Sequence, residues 1–166
     1  MDSSTGTVMT EPAWRPSPKA RALWAINAAL MWVPIVIAQV VWGVLDSGRA
    51  GWHIAAAVAT VVVAGVHITV VPLWRYRVHR WEISDTAVHT RSGWFTQERR
   101  IAPISRIQTV DTERGPIDRW LGLATVTVTT ASSAGAVEIT ALDAAVADET
   151  VARLTAIAGG DGADAT

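Results

Sequence analysis

The sequence predicts an α+β membrane protein: a two-helix transmembrane hairpin, then a small, partly closed β-barrel capped by a C-terminal helix. Three observations predict it. Two charge-free apolar runs, residues 22–45 and 52–74, flank a short polar turn at 46–51. From residue 75 the pattern changes to short alternating strands. The closing stretch, 143–158, returns to a helical period.

At about 1.5 Å per residue each apolar run spans roughly 34 Å, enough for a hydrocarbon core of about 30 Å. Backbone amides in hydrocarbon must be satisfied within the segment, so both runs are expected to be helices. Trp24 and Trp74 fall at one end of the hairpin, Trp42 and Trp52 at the other. Amphipathic rings settle at the two headgroup levels, which makes these four the expected interfacial anchors.

Of the 166 residues 50% are hydrophobic, and the excess sits in the two runs. Net charge is −1 and the pI near 6.4, so no basic field points to nucleic acid as a partner. The absence of cysteine removes disulfides, thiol nucleophiles and thiolate metal sites. A cleaved signal peptide fits poorly, because the first run exceeds an h-region of about 7–15 residues and a second span follows at once.

In chain order, residues 1–21 are rich in Ser, Thr and Pro without periodicity, and read as a disordered cytoplasmic arm. Pro34 interrupts the hydrogen bonds of the first span. Small residues recur four apart, at Ala25 and Ala29 and at Ala56, Thr60 and Ala64, a spacing that lets two helices approach closely. Asn27, Gln39 and His67 need partners inside the spans. If the chain folds about its turn, Asn27 and His67 lie about three residues apart in depth, and they are expected to form an interhelical polar pair. The sharper alternative for His67 is proton handling, although neither span carries a carboxylate to complete a relay. Arg15, Lys19 and Arg21 before the hairpin, and Arg75, Arg77 and Arg80 after it, stand against Arg49 alone in the turn. The positive-inside bias then predicts a multi-pass protein of the plasma membrane with both termini cytoplasmic.

The cytoplasmic domain is expected over 75–158, with strands at 75–83, 87–93, 94–103, 105–113, 124–130 and 136–140. Between the fourth and fifth, Pro116 suits a helix start and Gly122 a left-handed cap, giving one helical turn with Ile117, Trp120 and Leu121 on its apolar face. Asp143 suits the cap of the closing helix, Gly159 and Gly160 its end, and 159–166 a flexible tail.

The run ERRIAPISRIQTVDTERGPIDRWLGLATVTVTT (98–130) carries Pro–Ile–x–Arg–Ile–Gln and then Arg–Trp–Leu–Gly–Leu–Ala before a Val/Thr strand. In this it resembles the core signature of the YdbS-like bacterial pleckstrin-homology (PH) membrane proteins. The likeness covers about residues 20–158, two helices ahead of the domain included. It implies a PH-like bent barrel of seven strands with a C-terminal capping helix, and partners that are membrane proteins of the same family.

No arrangement suggests catalysis, a cofactor or a metal. His79 and His89 have Ser84 and Asp85 near in sequence, but that serine and aspartate sit in a tight hairpin turn without a nucleophile elbow. Arg99 and Arg100 are adjacent on a strand and point to opposite faces. The connection between the first two strands is short and slightly acidic, unlike the basic loop of phosphoinositide-binding relatives. Trp120 is expected either to plug the barrel or, with Arg119, to anchor a partner, because Trp and Arg are the residues most often found as interface anchors. Arg106 and Gln108 of the same signature complete the candidate partner surface. The functional expectation is a non-catalytic scaffold that binds a family member or a second copy of itself. The alternatives are an anionic-lipid module at the inner leaflet and a small transporter.

Overall fold

The computed structural model describes residues 12–93, 96–131 and 135–163. Two long helices, α1 (Ala20–Leu45) and α2 (Ala50–Val78), form an antiparallel hairpin through a short 3-10 turn, Ser47–Arg49. Both are long and apolar enough to cross a membrane, and along most of their length Val, Ile and Leu side chains stand exposed. The half-covered residues trace one seam: Ala25, Ala29, Trp32, Gln39 and Gly43 on α1 against His53, Ala56, Thr60, Ala64 and His67 on α2. The small residues at four-residue spacing therefore do lie where the helices meet.

The polar pairing differs from expectation. Trp32 donates its indole N–H to His67 Nδ1 at 3.0 Å, and the Gln39 amide donates to the Thr60 hydroxyl at 2.5 Å. Asn27 is exposed and takes no part, so the expected Asn27–His67 pair does not form. Depth alone did not decide it. Asn27 lies one position away from Ala28, off the seam, whereas Trp32 is long enough to cross it.

After α2 the chain forms β1 (Arg80–Ile83), β2 (Ala87–Ser92) and β3 (Glu98–Pro103), an antiparallel sheet in that order. A 3-10 turn, Ile104–Arg106, leads to β4 (Ile107–Glu113), helix α3 (Pro116–Leu121), β5 (Leu123–Thr130) and β6 (Val137–Asp143). The last three strands form a second antiparallel sheet. Alternation explains the facing: in β5, Val126 and Val128 are buried while the threonines between them are half-exposed. Trp81, Ile83, Val88 and Ala102 of one sheet meet Val126, Val128, Val137 and Ile139 of the other, and Ala147 and Leu154 of α4 (Ala144–Ala163) close the core.

Several expected boundaries move. Residues 75–78 continue α2 instead of opening the first strand. Arg-Tyr-Arg-Val alternates and so imitates a strand, but the helix lets Tyr76 pack beside Leu23 and Trp24, and arginines in a last turn suit the negative helix end. Residues 12–19 are not a loose arm. Trp14 exchanges both backbone hydrogen bonds with Trp81, covering the free edge of β1, and the Trp81 indole N–H donates to the Arg15 carbonyl at 3.3 Å. Six strands occur among the described residues, against the seven that the resemblance implies. α4 runs on through Gly159 and Gly160 to Ala163; residues 1–11, 94–95, 132–134 and 164–166 lie outside the described residues, and with them parts of the expected arm, third strand, last turn and tail.

The seam yields a contrast. Gln39→Leu should destabilise the hairpin by about 0.6–1.7 kcal/mol, whereas Asn27→Leu should stay within about 0.5 kcal/mol of wild type. Denaturant titration of the detergent-solubilised chain measures both, and equal losses would contradict the seam.

Candidate functional site: the hairpin–domain junction

The domain sits directly on the open end of the hairpin. Ala20, Leu23 and Trp24 of α1 are packed with Leu123 and Ala141, and Tyr76, Ile117 and Leu121 border them. The β5–β6 register shifts between Ala124 and Val126, and Ala141 in the bulge takes φ 57°, a left-handed conformation uncommon without glycine. The bulge releases the Ala141 carbonyl to accept the Ser17 amide at 2.9 Å. Next to it, the Thr140 hydroxyl is 3.1 Å from His79 Nε2.

Trp24 is consequently not an exposed anchor. It is 7% exposed, lies 5.3 Å from the His79 ring and carries the Arg75 guanidinium 4.6 Å above its face. Trp42, Trp52 and Trp74 remain exposed at the helix ends.

Beside this core a cleft of about 570 Å³ separates α2 from the strands. One wall is His67, Val71, Arg75 and His79; the other includes Thr90, Ser92, Glu98, Arg100, Glu138 and Thr140. Arg100 is engaged by Glu98 at 2.7 Å and donates to the Ala136 carbonyl at 2.8 Å. His79 is buried, and its Nδ1 has no partner among the described residues. Its pKa is pushed down to about 4, first by burial and then by the Arg75 charge, so the ring is neutral near pH 7.

The residues expected to form a partner surface are not all brought together. Arg106, the last residue of the 3-10 turn, and Gln108, near the start of β4, are exposed, and Arg119 and Trp120 lie beyond the far end of that strand. Seven strand residues at about 3.3 Å each hold the two pairs roughly 20 Å apart. Trp120 does not plug the barrel: it is 77% exposed. α3 turns Ile117 and Leu121, four residues apart, onto the junction core and leaves Trp120 to one side. Its ends are fixed by the Gly115 amide, which donates to Asp118 Oδ2 at 3.0 Å, and by Gly122 at φ 70°. Arg119 is exposed and donates from Nε to the Arg114 carbonyl at 3.3 Å. The Ser84 hydroxyl is held within its own turn by Ala87, while His79 faces Thr140.

Sequence reasoning missed the cleft. Arg75 and His79 share its wall because α2 continues past residue 74; the four-residue spacing of His67, Val71, Arg75 and His79 was the available signal. Glu138 and Arg100 come from distant strands and left no local trace.

Residues 22–157 match the family model described as Bacterial PH domain. The chain is 37% identical over 68 residues to the UPF0699 transmembrane protein YdbS of Bacillus subtilis (strain 168), covering 41% of this chain and 43% of that protein. The chain thus aligns with less than half the length of that relative. No solved structure matches.

The His79 environment makes stability depend on pH. Between its lowered pKa of about 4 and its ordinary 6.5 the unfolded chain binds more protons. The neutral ring's contribution, about 3 kcal/mol, is therefore fully present above the ordinary pKa and lost as pH falls through that window. Unfolding followed across the window should show a steeper acid loss for wild type than for His79→Gln.

Proposed function

The chain belongs to the bacterial PH-domain family, and from that premise we propose that it is a membrane-anchored, non-catalytic binding protein. In this reading the domain lies in the cytoplasm with both termini, under the plasma membrane. Its partner is another membrane protein, a family member or a second copy. The observation that carries the reading is Trp120 standing exposed beside Arg119 on a helix fixed against the hairpin. A large ring held in water on a rigid turn has the composition and preorganisation of an interface anchor. Its place next to α1 lets one partner contact both α3 and the exposed apolar flank of the hairpin. The arginine count on either side of the turn supports the orientation.

Anionic-lipid binding at the inner leaflet is the second reading, favoured by Arg75, Arg77 and Arg80, which could each gain about 1 kcal/mol near an anionic surface.

Reporter fusions at Met1 and after Thr166 should both give cytoplasmic signals. Trp120→Ala and Arg119→Ala should each leave folding within about 0.5 kcal/mol, because both side chains are exposed. Each should weaken association in detergent pull-downs or self-association by about 1 kcal/mol or more, roughly fivefold. Unchanged association, with liposome binding lost steeply as salt is added, would favour the lipid reading.

A further inference from the structure

The cleft carries an inference separate from the α3 surface. His67, Val71 and Arg75 lie one above another on a single face of α2, with His79 one turn on as its C-terminal cap, so this wall runs from bilayer depth to the Arg75 charge where the helix reaches the domain. Across it, Glu98 and Arg100 neutralise each other. The charges left are the Arg75 guanidinium and the Glu138 carboxylate, which attract one another across the gap. No ion pair joins them among the described residues. The cleft thus presents a cation on one side, an anion on the other, and Val71 above.

We propose that this cleft binds the headgroup of a zwitterionic phospholipid bearing a primary ammonium, a phosphoethanolamine lipid. Its phosphate lies against Arg75, its ammonium meets Glu138, and an acyl chain follows Val71 toward His67. The volume falls within the range of about 300–1,000 Å³ usual for small-molecule sites. Charge complementarity selects the class. Two arginines and two glutamates line the cleft, so a purely anionic headgroup meets Glu138 without a counter-charge. Quaternary ammonium groups are held by open aromatic faces, and the nearby face of Trp24 already carries Arg75. A primary ammonium instead makes charge-assisted hydrogen bonds to a carboxylate.

The test uses the full chain in phosphatidylcholine nanodiscs doped in turn with phosphatidylethanolamine or phosphatidylglycerol, with lipid retention read by native mass spectrometry. Phosphatidylethanolamine should be retained in preference to both other lipids. Glu138→Gln alters an exposed side chain and should preserve folding, yet lower that retention by about tenfold. Trp120→Ala should retain the lipid as wild type does, which separates this site from the α3 surface. Soluble phosphoethanolamine at equal concentration should not displace the lipid. Equal retention of the three lipids, indifference to Glu138→Gln, or displacement by the soluble headgroup would each overturn the proposal, the last by making the free zwitterion the ligand.

Discussion

The structure depends on one small second core, where the first turn of α1 meets β5 and the bulge of β6. Ala20, Leu123 and Ala141 are fully covered there. Residues this small are needed because two backbones and the Trp24 ring converge on one spot. The left-handed Ala141 is the cost of the arrangement, a strain of about 1–3 kcal/mol sustained only because surrounding contacts over-determine it. From that bulge come both the carbonyl that fixes Ser17 and the hydroxyl that meets His79. The order of residues 12–19, the placement of α3 and the existence of the cleft all follow from it.

Different forces hold the two halves. The domain buries Leu154, Ile139, Leu142 and a row of valines almost completely, and large-to-small changes there cost about 2–5 kcal/mol each. The hairpin has no comparable core. Its helices touch through small residues, and each polar link across them is worth about 0.6 kcal/mol on average. Cohesion of the hairpin is therefore the weaker of the two, and the junction core is what ties its open end.

Much of the fold was legible because the signals were local. Residues 22–45 and 52–74 lack charge, Val126 and Val128 alternate with threonines, and Ala147, Val151 and Leu154 recur at helical spacing. What escaped was non-local. Arg-Tyr-Arg-Val satisfies a strand pattern by itself; only Tyr76 packing near Leu23 selects the helix. Trp24 at a span's end looks the same whether lipid or protein covers it. Trp120 invited a core reading because of its size, although the spacing of Ile117 and Leu121 already named the buried face of that turn. Arg106 and Gln108 share a motif with Arg119 and Trp120, yet a strand's length divides them.

Only His79 stands between the last residue of α2 and the first of β1, and Ser17 is fastened to the domain three residues before α1 begins. Neither helix has slack where it leaves the domain. The apolar run 52–74 of α2 extends roughly 34 Å, somewhat beyond a hydrocarbon core of about 30 Å, and a helix in excess tilts. With no hinge at its base, that tilt is passed on as rotation of the whole domain. Bilayer thickness thereby sets the bearing of the domain over the membrane plane, and a thinner membrane turns a different face of it toward its neighbours.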